Sequence, residues 1–203
     1  MSQPAPTYLR LENRHTGEVL ELLRRRENGE ILIELRGTIP AHQEGPPLHI
    51  HHLEDEDGTV TTGTLSVEVG GRRIDAGPGQ SVQLPRGVPH RWWNQGDSPL
   101  AFEGHVRPAV DLDRYLQAVF EVMNAGSRNR PPLFYMAHVA LRHRQTQTAL
   151  VMRRPLQVLV FRAALVLGTL LGRYRGSEWP GCPARCVGAP TAGGAAVRNA
   201  ADS

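Results

Sequence analysis

Four side chains in this sequence could together bind a metal ion: His49, His51, Glu56 and His90. Three imidazoles and one carboxylate suit a divalent transition metal that keeps at least one position open for a ligand. Alternate residues of a strand share a face, so His49 and His51 can point the same way. The alternative is that the histidine pair lies at the surface beside the acidic run 54–57.

Glu56 lies five positions after His51, so one continuous strand would place it on the opposite face. We therefore expect residues 53–55 to turn and deliver Glu56 from a neighbouring strand. His90 follows a Pro-Arg-Gly-Val-Pro turn and begins a further strand. The same parity argument excludes His52 from the site.

The spacing of apolar residues predicts many short strands before Pro108, separated by Gly and Pro. This pattern is typical of a β-sandwich or barrel. Three helices are predicted after Pro108, and Asp111 is the expected N-cap of the first. The predicted helices cover 112–123, 134–144 and 156–171, and a region rich in Gly, Ala and Pro from 176 onward is expected to be disordered.

Two framed clusters carry a resemblance to a known family. Glu56 and Gly63 stand in E-x6-G order, and a second cluster reads G-x5-P-x-G-x2-H-x3-N, with Gly79, Pro85, Gly87, His90 and Asn94. Segments 45–63 and 79–94 resemble the two motifs of the cupin superfamily. The resemblance implies an antiparallel jelly-roll β-barrel over residues 8–108, followed by a helical appendage over 109–175 and a disordered tail over 176–203.

Carried over position by position, the resemblance implies that the metal ligands are His49, His51, Glu56 and His90. The glycines and Pro85 would form turns, and Asn94 would stabilise the second motif. Gly45 departs from the family pattern, because it stands four residues before His49 instead of six. Residues 57–59 depart as well, since the family usually has bulky aromatic side chains there.

The resemblance implies one divalent transition metal, either Fe, Mn, Ni, Cu or Zn, and a small-molecule substrate or ligand. We expect a metal-dependent dioxygenase of the quercetinase-like kind. Cupins also include isomerases, lyases and non-catalytic binding or sensing modules, and these alternatives stay open because fold does not determine function.

Three further residues are candidates for contact with substrate. Trp92 shares the face of His90 by alternation, and its alternative role is core packing. Glu103 and His105 share one face of the last strand. They would approach the site if that face pointed inward; otherwise they face solvent and Phe102 fills the core.

The charge of the chain is uneven. Residues 1–125 hold 12 arginines and 18 acidic residues, whereas residues 126–203 hold 11 arginines and 2 acidic residues. The chain has no lysine, which indicates a GC-rich bacterial genome.

Residues 1–10 contain no apolar segment typical of a secretory signal, so a cytoplasmic protein is expected. Nucleic-acid binding is not expected, since no recognisable module accompanies the positive charge.

The apolar segment 156–171 is shorter than the roughly 20 residues that a membrane-spanning helix needs. We expect this helix to pack on the barrel or to form a homodimer interface. The arginines around it also permit peripheral contact with an anionic membrane surface.

Overall fold

The computed structural model describes residues 7–126 and 131–174. Its first ten strands form most of two facing antiparallel sheets, which confirms the predicted jelly-roll class. The strands are β1 (Thr7–Glu12), β2 (Val19–Glu27), β3 (Glu30–Ile39), β4 (His49–His51), β5 (Asp55–Thr62), β6 (Leu65–Val69), β7 (Arg72–Ala76), β8 (Ser81–Leu84), β9 (His90–Trp93) and β10 (Leu100–Arg107).

Three helices and one more strand follow: α1 (Leu112–Ala125), α2 (Leu133–Arg142), β11 (Gln147–Ala149) and α3 (Arg154–Leu170). One sheet has the order β1-β2-β3-β10-β5-β8, and the other has the order β11-β4-β9-β6-β7. The predicted tail 176–203 lies outside the described residues.

The core lies between the two sheets and consists of side chains from alternate strand positions. Ile33 and Val106 from one sheet and Val67 from the other have essentially no exposed surface. Strand β10 shows the alternation clearly, since Leu100, Phe102, Gly104 and Val106 are buried while the residues between them are more exposed. The β-strand period of two thus produces a sandwich with a largely apolar core.

Strand β11 was not predicted from the sequence. It pairs with β4 in antiparallel register, with Gln147 opposite His51 and Ala149 opposite His49. The region after Pro108 therefore contributes a strand to the sheet that carries two of the candidate ligands. Without β11, strand β4 would lie at the sheet edge with unpaired backbone groups.

The side chain of Glu54 connects this region to the sandwich. Glu54 is completely buried, and its Oε1 accepts hydrogen bonds from the backbone N–H groups of Val110, Asp111 and Leu112 at 2.7, 3.1 and 3.2 Å. Its Oε2 accepts a 2.5 Å bond from Nε2 of Gln147. Burial raises the pKa of Glu54, while the backbone donors act in the opposite direction.

Glu54 thereby binds the backbone at the start of α1, where the sequence predicted Asp111 as the N-cap. Asp111 does occupy the N-cap position of α1, but its side chain makes no capping hydrogen bond. Its Oδ2 instead accepts a 2.7 Å bond from Nδ1 of His143. The N–H groups of Val110, Asp111 and Leu112, at the start of α1, thus bond to a residue in a distant loop, which no local sequence pattern indicates.

Helix α3 packs on α2 through Phe161 and Ala164, which join Ala137 in one apolar cluster. Within the ranges 7–126 and 131–174, no helix is both long and apolar enough to cross a bilayer.

We predict that Glu54→Ala lowers the free energy of unfolding by about 3 kcal/mol, because buried donors on α1 and Gln147 lose their acceptor. Glu54→Gln should cost only about 1 kcal/mol, since its amide oxygen can still accept from α1. Urea unfolding followed by circular dichroism measures both values. Equal stability of Glu54→Ala and the unmodified protein would contradict the proposed link.

Candidate metal centre

The three candidate histidines lie on two adjacent strands of the smaller sheet. His49 and His51 are on β4, and His49 is paired directly with His90 on β9. Strand β4 therefore has hydrogen-bonded neighbours on both sides, β9 and β11. This arrangement holds the backbone of all three ligand candidates in one sheet.

The three imidazole rings converge. Ring centroids are 4.9 Å apart for His49 and His51, 4.4 Å for His49 and His90, and 4.9 Å for His51 and His90. One nitrogen from each ring lies within 4.8 Å of the nitrogens of the other two. His51 and His90 are buried, and His49 is partly exposed.

Backbone carbonyls orient two of the rings. Nδ1 of His49 donates to the carbonyl of Pro47 at 3.0 Å, and Nδ1 of His90 donates to the carbonyl of Val88 at 2.9 Å. A carbonyl only accepts, so in the neutral rings Nε2 carries the lone pair. Such partners are typical of metal-bound histidines, because they fix both the tautomer and the ring orientation.

Two buried nitrogens of the cluster have no hydrogen-bond partner among the described residues. They are Nε2 of His90 and Nδ1 of His51. Buried polar atoms are normally satisfied, so two such nitrogens in one three-histidine cluster indicate that a ligand belongs there. The residues present therefore fit a metal ion.

Burial keeps the imidazoles neutral. It lowers the pKa of His49 to about 4, and the neighbouring His90 contributes in the same direction. Burial also lowers the pKa of His51 well below its usual range, followed by the effect of His49, and it lowers the pKa of His90. At neutral pH the rings therefore present lone pairs, as metal binding requires.

Glu56 approaches the cluster from the facing sheet. On β5 it is paired with Leu84 and Val106, whose side chains are buried in the core, so Glu56 also points inward. Its Oε2 lies 3.6 Å from Nδ1 of His51. The chain does turn between His51 and Glu56, as the parity argument required, but it crosses to the opposite sheet instead of joining a strand beside β4.

The mutual distances of 4.8 Å or less hold for the nitrogens of His49, His51 and His90 only. The carboxyl of Glu56 does not belong to this group. Burial raises its pKa to about 8, with the nearby acidic residues Glu54 and Asp57 adding to the shift. In the absence of a metal, Glu56 therefore holds a proton at neutral pH.

The turn before His90 depends on Gly87. Its φ of +76° is in the left-handed region that favours glycine, and its N–H donates to the carbonyl of His51 at 2.7 Å. This bond ties the turn that precedes one histidine to the strand that carries another. The turn role implied for Gly87 is in accordance with this geometry.

Asn94 and Gly45 hold the opposite end of β9. The buried Nδ2 of Asn94 lies 3.2, 2.9 and 3.0 Å from the carbonyls of Ile39, Pro40 and Ser98. A Cβ on Gly45 would lie 1.8 Å from the carbonyl oxygen of Trp92, so only glycine fits there. The short entry loop that distinguishes this sequence is thus packed directly against β9.

Trp92 packs into the core, where its ring meets Phe102 edge to face at a centroid distance of 5.7 Å. It shares the inward face with His90, as predicted, and keeps some exposed surface.

Glu103 and His105 are not brought to the histidine cluster. Both lie on the outer face of β10, where Glu103 is 3.7 Å from Arg36 and His105 Nδ1 is 3.1 Å from Asp57. The buried Phe102 shows the physical reason: apolar side chains occupy the inner face of this strand, so the alternating polar set faces solvent.

Comparison with known proteins agrees with this geometry. Residues 35–106 match the family model described as Cupin domain, and this segment contains all four candidate ligands. Oxidoreductase iacF from Pestalotiopsis fici is 33% identical over 86 residues, which is 41% of this chain and 42% of that protein. The matched segment thus spans less than half of that relative.

Among solved structures, an RmlC-like cupin from Shewanella frigidimarina is 22% identical with a TM-score of 0.41, covering 49% of this chain and 83% of that one. A cupin protein from Bacteroides fragilis is 21% identical with a TM-score of 0.35, covering 40% and 69%. The segment that matches the cupin family model, residues 35–106, contains both histidine strands and the turn between them.

Proposed function

We propose that this protein is a metal-dependent enzyme that oxidises a small organic molecule at the His49, His51 and His90 cluster. The observation that carries the proposal is the convergence of three neutral imidazoles, two of which have a buried nitrogen with no hydrogen-bond partner among the described residues. The relative named an oxidoreductase supports the class of reaction.

The metal would be a single divalent transition ion. Imidazole-rich sites accept iron, nickel, copper or zinc, and a carboxylate ligand keeps manganese among the candidates. When bound, such an ion supplies a Lewis acid and, for the redox-active metals, an electron-transfer centre for the substrate.

Glu56 is the proposed fourth ligand. Its inward direction and its 3.6 Å distance from His51 place the carboxyl beside the cluster. The carboxyl must lose its proton before it can bind a cation, and while protonated it can donate that proton at one of its oxygens. Glu56 thus has two roles in the proposal, as ligand and as proton carrier.

Trp92 is the proposed contact for the apolar part of the substrate. It follows His90 by two positions on the inward face and retains exposed surface beside its contact with Phe102. An indole edge next to the cluster favours a flat or apolar substrate over a highly charged one.

We predict that His90→Ala and His49→Ala lower metal affinity at least about tenfold. Loss of a residue that only orients a metal ligand already lowers affinity by about that factor, and loss of the ligand itself should cost no less. Elemental analysis after reconstitution and desalting measures the bound ion per chain. His52→Ala and His105→Ala are matched controls, because these rings bond to Thr148 and Asp57 outside the cluster. Unchanged metal content in the His90 and His49 variants would refute the site.

We predict that the reconstituted protein consumes oxygen with at least one member of a panel of flavonols and enediols. An oxygen electrode measures the rate, and mass spectrometry identifies the product. His90→Ala should abolish consumption, whereas His105→Ala should keep it. Conversion of the compound without oxygen consumption would contradict the oxidative reaction and indicate a non-oxidative isomerase or lyase. Retention of an unchanged ligand would indicate a binding module.

A further inference from the structure

Helix α3 presents an apolar face to solvent opposite the face that packs on the protein. Its packed face consists of Gln157, Phe161, Ala164 and Gly168. The side chains of the opposite face recur every three or four residues, the spacing of one helical stripe. They are Leu156, Leu159, Ala163, Val166, Leu167 and Leu170, and all six are exposed.

The exposure of this stripe is large. Leu159, Val166 and Leu170 retain 66, 61 and 77% of their accessible surface. Single exposed apolar residues are common in soluble proteins, but a contiguous apolar stripe along a whole helix marks an interaction surface.

The sequence on both sides of the stripe carries only positive charge. Residues 131–174 contain six arginines and no aspartate or glutamate. None of the six forms a salt bridge with an acidic residue in the part of the chain that the structure describes, whereas sandwich arginines such as Arg24, Arg25 and Arg86 pair with acidic residues. Among the described residues, the arginines around α3 are therefore not neutralised by ion pairs.

This charge argues against a second copy of the chain as the occupant. Arg162 lies three residues after Leu159 and four before Val166, at the border of the stripe. Two α3 helices packed face to face would bring the arginines of both copies together in either orientation. No acidic residue in 131–174 is present to compensate the repulsion.

We propose that the outward stripe of α3 docks on an anionic lipid bilayer, with the helix lying in the plane of the membrane surface. An apolar stripe flanked by arginines has the chemistry of interfacial helices, which bury the apolar side among the acyl chains and attract anionic headgroups. Over its described length, helix α3 is not both long and apolar enough to cross a bilayer.

The docked helix would hold the metal centre at the membrane surface. Nε2 of Gln157 donates to the carbonyl of Ala149 at 2.7 Å, and Oε1 of Gln157 accepts from the N–H of Val151 at 3.2 Å. These bonds fix α3 to the end of β11, which pairs with β4. The helix is thus attached to the histidine strand through β11.

Vesicle co-sedimentation of the full chain tests the proposal. Vesicles of phosphatidylcholine alone are compared with vesicles of equal parts phosphatidylcholine and phosphatidylglycerol, at low and high salt. We expect binding to the anionic vesicles only, weakened by salt. The triple variant Leu159→Gln, Val166→Gln and Leu170→Gln should reduce binding at least about tenfold, and Arg162→Gln should reduce it more modestly.

Ile74→Gln is the matched control, because Ile74 is 45% exposed on β7, away from α3, and should bind like the unmodified protein. Metal content and circular dichroism verify that the variants are folded. Absence of sedimentation with anionic vesicles, or equal sedimentation with neutral ones, would overturn the proposal. So would analytical ultracentrifugation showing a dimer that the triple variant converts to a monomer, since a second copy would then cover the stripe.

Discussion

The buried carboxylate of Glu54 is the interaction on which the arrangement around the histidines depends. A carboxylate removed from water is costly unless fixed donors surround it. Here those donors are the backbone N–H groups of residues 110–112, at the start of α1, and the amide of Gln147. Glu54 lies between His51 and Glu56 in the chain. The residue that satisfies the helix thus also sets where the chain leaves one sheet and enters the other.

The hydrogen bonds of Glu54 explain how the region after the sandwich supports the strand that carries His49 and His51. Gln147 binds Glu54 and stands opposite His51, so β11 is held against β4 by a side-chain bond and by the backbone ladder. Strand β4 consequently lies inside the sheet, with neighbours on both sides. A ligand pair on a paired strand is more rigid than one at a free edge, and rigid ligands suit a metal site.

Much of the fold and the ligand cluster could be predicted from the sequence, because both rest on local periodicity and spacing. Parity placed His49 and His51 on one face, required a turn before Glu56, and placed His90 with Trp92. Strand β11 escaped prediction because it is only three residues long and owes its existence to a distant partner.

Glu54 was missed for a related reason. In the sequence it belongs to an acidic run that is typical of solvent exposure, and its burial follows from donors more than 50 positions away. The sequence also allowed two orientations of the last strand. Only the packing of Phe102 against the core decided that Glu103 and His105 face outward.

The chemistry of the cluster follows from burial as much as from residue type. Burial lowers the pKa of His49 to about 4 and raises the pKa of Glu56 to about 8, so at neutral pH the imidazole lone pairs are available to a cation and Glu56 holds a proton. The same arrangement can serve several reactions, and the substrate pocket decides among them.

Anomalous X-ray scattering from crystals of the reconstituted protein, recorded at the absorption edge of the added metal, tests the metal centre most directly. We expect one strong peak per chain between His49, His51 and His90, within bonding distance of a nitrogen from each ring. A peak elsewhere in the molecule, or none at full reconstitution, would contradict the assignment of this cluster as a metal site.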